Sequence, residues 1–95
     1  MENRLAQIHN LLTEAAETHH RVYRIVDGND DDWASWYADW LINLSELPQI
    51  LGRRPVRSEF VYMLVKLDKE YTSQPRDESW ETYDAAALLD HFGTK

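Results

Sequence analysis

Residues 30–44 read DDDWASWYADWLINL and hold three of the four tryptophans of the chain. The large apolar side chains of this segment recur at steps of three and four, which places them on one face of an amphipathic helix. They are Trp33, Trp36, Tyr37, Trp40, Leu41 and Leu44. Because a buried aromatic ring removes roughly 150–250 Å² from water, we expect this face to dominate the core and the other helices to pack against it.

The rest of the chain also shows helical periodicity. Residues 3–26 carry an apolar seam, and shorter helices are predicted over residues 46–51, 58–71 and 79–92. The seam consists of Leu5, Ile8, Leu12, Ala15, His19, Val22 and Val26. No segment of useful length alternates with a period of two, as a half-buried strand would. The sequence therefore predicts one all-α domain, residues 1–95, built as a compact bundle of four main helices plus one short helix.

Short polar segments with turn residues separate these helices. Gly28, Gly52 and Gly93 follow predicted helix ends, where a left-handed conformation is favourable. Side chains that can accept hydrogen bonds from a first helical turn precede the helix starts. These predicted caps are one of Asp30, Asp31 and Asp32, then Ser45, Ser58, and either Asp77 or Ser79.

Composition excludes several classes of function. The net charge of −7 repels phosphate backbones and anionic lipid surfaces, so we expect neither nucleic acid nor membrane as a partner. The chain has no cysteine, which excludes disulfides and thiolate chemistry and favours the cytoplasm as its compartment. No run of residues is apolar enough for a signal sequence or a membrane span.

Neither a metal site nor a cofactor is predicted. Glu17 and His20 have the spacing of one helical metal-binding pair, but a complete site needs further ligands that the sequence does not specify. Residues 27–38 begin like a calcium loop, yet Asp32 and Ala38 stand where that loop needs glycine and glutamate. We find no glycine-rich phosphate loop, no dinucleotide fingerprint and no serine-nucleophile motif. No catalytic residue is therefore assigned.

Two hypotheses for function remain open. The first is a non-enzymatic protein–protein interaction module that uses the aromatic helix, because tryptophan, tyrosine and arginine dominate interface hot spots. The second is a small ligand-binding protein or enzyme whose pocket is lined by His19, Trp36, Asp39, Trp40 and Arg57. Three arginines within residues 53–57 could hold an anion or neutralise the acidic residues 27–32.

Self-association is a further expectation. A first helix of about 24 residues would be roughly 36 Å long, longer than its neighbours could cover. Its N-terminal end carries Leu5, Ile8 and Leu12, which two copies could bury in a homodimer. The alternative is that residues 46–57 fold over this seam and leave the monomer closed.

Three short segments carry a resemblance to known sequences. They are His19-His20, DWASWYADWL at residues 32–41 and PVRSE at residues 55–59. In these segments the chain resembles a group of small helical proteins of unknown function from bacteria, cyanobacteria among them. The resemblance implies a helical fold and assigns no activity, cofactor or site residue.

Overall fold

Five α-helices make up the fold in the computed structural model, which describes residues 3–23 and 32–94. In chain order they are α1 (Arg4–Tyr23), α2 (Trp33–Asn43), α3 (Leu47–Leu51), α4 (Arg57–Thr72) and α5 (Trp80–Phe92). The described residues form no strand. Four main helices and one short helix were predicted, and the all-α class is confirmed. No described helix has the length and apolar character needed to cross a membrane.

The termini of the helices follow the local sequence signals only in part. The N-cap of α3 is Glu46 and not the predicted Ser45, and Gly93 ends α5 in an extended conformation with a φ of −73°, not in the left-handed region. Gly52 ends α3 with a φ of 86°, in the left-handed region that favours glycine. The hydroxyl of Ser79 accepts a hydrogen bond from the backbone N–H of Thr82 and caps α5. The cap predicted at Ser58 is wrong, because α4 begins at Arg57 and the N-cap position is occupied by Val56, two residues earlier. Gly28, Asp30 and Asp31 lie outside the described residues.

The core lies where α1 packs against α2, α3 and α5, and α4 packs against α2 and α5. Its fully buried large side chains come from every helix. They are Ile8, Leu12, Leu41, Leu47, Leu51, Phe60 and Leu88. The rings of Phe60 and Phe92 lie 5.3 Å apart between centroids and join α4 to α5.

The aromatic helix α2 meets the core differently from the prediction. Its buried residues are Ala34, Ala38, Leu41 and Ile42. The large rings of the predicted face are half-buried and pack against the core, Leu41 of that face is fully buried, and Leu44 is 74% exposed. Two small alanines on the inward face leave room for a neighbouring helix to approach, so the bulky rings flank the contact instead of filling it.

The N-terminal seam of α1 is covered, which contradicts the premise of the predicted homodimer. Ile8 and Leu12 are 0% exposed, and Leu5 is 41% exposed. The closing element is α3 together with the C-terminal end of α5, since α1 packs against both. The alternative predicted that residues 46–57 would fold over the seam, and α3 does so, but α5 covers the seam as well. Dimerisation itself stays untested.

Candidate functional site: an aromatic pocket with a buried carboxylate

A pocket of about 310 Å³ opens between four of the five helices. Each of these helices contributes side chains to its walls, and most of them are aromatic. The lining residues are His19 from α1, Trp33 and Tyr37 from α2, Leu64, Asp68 and Tyr71 from α4, and Trp80 and Asp84 from α5. The pocket is thus an apolar, aromatic concavity that also holds two carboxyl groups.

Ring-to-ring contacts hold the wall formed by α2 in place. The Tyr37 ring packs edge-to-face against Trp33 at 6.0 Å and against Trp80 at 6.2 Å between centroids. His19 stacks on Tyr37 at 5.0 Å, with an interplanar angle of 28°. Such offset and edge-on arrangements are the favourable ones for aromatic pairs. Tyr37 therefore connects α1, α2 and α5 on this side of the pocket.

Hydrogen bonds fix the opposite wall, at the C-terminal end of α4. The hydroxyl of Tyr71 donates to the carbonyl oxygen of Glu78 at 2.7 Å and so ties α4 to the loop before α5. The Tyr71 ring lies 5.7 Å from the ring of Tyr83. The hydroxyl of Tyr83 in turn donates to the Glu70 carboxylate at 3.2 Å. These contacts make Tyr71 a fixed part of the pocket wall.

Asp84 is the unusual residue of the site. It is 6% exposed, and its Oδ1 atom is buried without a hydrogen-bond partner among the described residues. Removal of the carboxyl group from water raises its pKa from 3.8 to about 7, and the nearby charges of Asp68 and Glu81 contribute to the rise. A carboxyl group of this kind changes its charge near neutral pH.

The electrostatic character of the pocket is negative. Asp68 and Asp84 stand on its walls, and none of its lining residues is a lysine or an arginine. Glu81 acts on the same region: burial, and then the charge of Glu81, raise the pKa of Tyr37. The walls therefore disfavour an anion and favour a positively charged group.

Of the five site residues predicted from the sequence, the structure places His19 in this pocket and the other four outside its lining. Trp36 contacts His19 edge-on at 4.9 Å and stacks on Trp40 at 6.4 Å. Arg57 pairs with Asp39, with Nε at 2.6 Å from Oδ1, on a half-exposed part of the surface. The hydrogen bond and charge of Arg57 lower the pKa of Asp39.

The neighbouring arginines bind carbonyl oxygens within the fold. Arg53 donates from Nε to the carbonyl oxygen of Phe92 at 2.6 Å, and Arg54 donates to the side-chain oxygen of Asn43. The predicted neutralisation of residues 27–32 by these arginines rests mainly on residues 27–31, which lie outside the described residues. Within the described ranges, no three His, Asp or Glu side chains converge as they would around a metal ion.

Sequence reasoning missed the aromatic residues Tyr71 and Trp80 as site residues, and it missed the role of Asp84. The spacing of residues on α5 does point to Asp84. Asp84 lies four residues after Trp80 and four before Leu88, so it falls on the apolar stripe of α5. A carboxylate on the inward stripe of a helix indicates a functional site more strongly than the exposed Asp39 does.

Comparisons with protein-family models, with curated proteins and with solved structures find no match to this chain. The resemblance to small bacterial helical proteins accordingly stays a prediction.

Proposed function

We propose that this protein is a ligand-binding protein whose site is the aromatic pocket between α1, α2, α4 and α5. One observation carries the proposal: a concave apolar pocket holds a buried carboxyl group that has no partner among the described residues. Buried polar groups in proteins are normally paired, and an unpaired one calls for an explanation, such as strain, a functional role or a bound water or ion. Pockets with apolar walls and few convergent polar groups are typical of small-molecule sites.

The proposal is for binding and not for catalysis. The pocket volume of about 310 Å³ lies at the lower end of the range for ligand sites, so the ligand is a small molecule or one side chain of a larger one. The lining residues include no serine, cysteine or lysine that could act as a nucleophile. The lack of cysteine in the chain continues to favour the cytoplasm as its compartment.

The test uses the four tryptophans as internal reporters. A library of small apolar and amphipathic molecules is screened against isotope-labelled protein by NMR, with the indole N–H signals assigned. We expect ligands that shift the signals of Trp33 and Trp80, which line the pocket, and leave that of Trp40 unchanged.

The matched variants are Trp80→Leu in the pocket and Trp40→Leu outside it. Binding should fall at least about tenfold in the first, because a large part of the apolar wall is lost, and stay within about twofold in the second. Circular dichroism confirms that both variants are folded. A library without a single ligand for the pocket, or equal losses in both variants, would contradict the proposal.

A second candidate is the protein–protein interaction module. It is supported by apolar side chains that are exposed at one end of the fold, Leu44 at 74% and Val56 at 57%. Arg54 donates to the carbonyl oxygen of Ile42, so the segment before α4 lies beside the end of α2. Affinity capture from the source cells with wild type and a Leu44→Asp, Val56→Asp double variant tests this candidate. If both recover the same proteins, the exposed residues do not form an interface.

A further inference from the structure

We infer that the ligand of the aromatic pocket is a protonated amine, with its ammonium group beside Asp84 and an apolar body against the surrounding rings. This inference rests on the proposed function and names the chemical class of the ligand. It follows from three features of the pocket: the buried carboxyl group, the rings around it and the sign of the nearby charges.

The first feature is the carboxyl group itself. A buried carboxylate is costly unless a charge or hydrogen-bond donors compensate it. Asp84 is only 6% exposed, and its Oδ1 accepts no hydrogen bond from the described part of the chain. An ammonium group supplies both requirements at once, since it carries a positive charge and N–H donors.

The second feature is the ring framework. Trp33, Tyr37, Tyr71 and Trp80 stand around the same concavity as Asp84. The face of an aromatic ring attracts a cation, and tryptophan and tyrosine do so best. Aromatic rings grouped around a site bind organic ammonium groups in other proteins. Neutral and anionic ligands do not gain this cation–π attraction.

The third feature is the local charge. Asp68 lies on the wall from α4, and the charges of Asp68 and Glu81 both reach Asp84. Like charges around one carboxyl group are unfavourable, and a bound cation relieves the repulsion. The net charge of −7 acts in the same direction at longer range.

The hydrogen bond to Asp84 further narrows the chemical class of the ligand. A quaternary ammonium group has no N–H and cannot donate to Asp84, whereas a primary or secondary amine can. Leu64 and the rings then contact an alkyl or aryl body. Two sources offer this chemistry, a free amine metabolite and the lysine side chain of another protein.

The experiment compares amines with neutral alcohols of the same shape. Isothermal titration calorimetry and NMR measure the affinity of the protein at pH 8 for amine–alcohol pairs of increasing size. The set runs from propylamine and propanol to 2-phenylethylamine and 2-phenylethanol. We expect the best amine to bind at least about tenfold more tightly than its alcohol, since the alcohol lacks the positive charge that pairs with the Asp84 carboxylate. The indole signals of Trp33 and Trp80 should shift on binding.

Two aspartate variants on α5 locate the effect. In Asp84→Asn the amine should bind no better than its alcohol, while the alcohol's own affinity stays within about twofold. Asp90→Asn, an exposed position on the same helix, should behave as wild type. If the amine loses its advantage over the alcohol in both variants, the effect is a general one of net charge, and the assignment to Asp84 is overturned.

The remaining outcomes separate the inference from the proposed function. Equal binding of amine and alcohol in the pocket would overturn the inference and leave the proposed function standing. Binding of neither, at any size in the graded set, would contradict both. An Nα-acetylated lysine methylamide serves as a final probe: tighter binding than the free amines identifies a protein side chain as the source, and weaker binding identifies a free metabolite.

Discussion

The guanidinium of Arg4 lies against the carbonyl oxygen of Leu51, with Nη2 at 2.7 Å, although 47 residues separate the two in the chain. Its Nε donates to the carbonyl oxygen of Ile50 at 2.7 Å, and its Nη1 donates to that of Thr94 at 2.7 Å. The last carbonyl groups of a helix have no partner within it. Arg4 supplies partners for the end of α3 and fastens the start of α1 to it.

Arginine side chains also donate to carbonyl oxygens at the C-terminal ends of α2, α4 and α5. Arg53 donates to the carbonyl oxygen of Phe92 at the end of α5, and Arg54 to that of Ile42 near the end of α2. Arg76 donates to the carbonyl oxygen of Glu70 in the last turn of α4 at 2.9 Å. A positive charge at a helix C-terminus also interacts favourably with the helix dipole. Arginine thus caps each of α2, α3, α4 and α5.

Replacing Arg4 with alanine should destabilise the protein by about 2–3 kcal/mol. The change removes three hydrogen bonds from a charged donor and leaves partly buried carbonyl oxygens without it. Urea unfolding followed by circular dichroism measures the loss. Arg21→Ala, at an exposed position of the same helix, controls for the loss of charge and helix propensity. Equal stability of the two variants would show that the Arg4 contacts contribute little.

Local signals were sufficient to predict the helices but not how they meet. Gly52, Pro48 and Ser79 act through their own backbone neighbours, so a sequence reading can place them. The caps formed by Arg4 and Arg53 join residues that are 46 and 39 positions apart. Nothing in the local pattern around an arginine specifies such a distant carbonyl group.

The candidate site was predictable only in part, for a related reason. Periodicity shows that Trp33, Tyr37 and His19 lie on inward-facing stripes, and it places Asp84 on one as well. It does not show which stripes converge, because that depends on how α4 and α5 pack. Side-chain type was also misleading for Asp39 and Arg57, which form a half-exposed ion pair outside the pocket.

Two positions of the α1 seam should respond very differently to a charge. Ile8→Glu should unfold the protein largely, because the carboxylate would be buried in the core without a partner. Leu5→Glu should change the free energy of unfolding by less than about 1 kcal/mol, since Leu5 is 41% exposed. Thermal melts compare the variants, and sedimentation equilibrium reports the mass of each. A folded Ile8→Glu protein of altered mass would reopen the seam as an interface.

Gly52→Ala should cost about 1–2 kcal/mol through the backbone alone, because the residue has a φ of 86°. A steric cost adds to this, since the new Cβ would overlap Oγ1 of Thr94. The hydroxyl of Thr94 donates to the carbonyl oxygen of Leu51 at 3.0 Å and is therefore held in place. Denaturant unfolding of the single variants and of Gly52→Ala with Thr94→Ala separates the two costs. The double variant should regain only the steric part of the stability lost in Gly52→Ala. If the stability losses of the two single variants simply add in the double variant, the new Cβ does not overlap Thr94.

Asp84 should make the protein less stable as the pH rises from about 4 to 7. Its pKa is about 7 in the folded protein, against 3.8 for an ordinary aspartate, so between these values the folded state binds more protons than the unfolded one. The free energy of unfolding then falls with pH, by roughly 2–4 kcal/mol over the whole interval. Above pH 7 the carboxylate is ionised in both states and the full penalty persists.

Asp84→Asn removes this titration and leaves the shape of the side chain almost unchanged. The variant should match wild type near pH 4 and exceed its stability by roughly 2–4 kcal/mol at pH 8. Asp39, whose pKa is lowered by Arg57, contributes in the opposite direction, but it is present in both proteins and cancels in the difference. Urea unfolding at a series of pH values measures the two curves. Parallel curves, with the same difference at pH 4 and pH 8, would show that Asp84 ionises in the fold as an ordinary aspartate does.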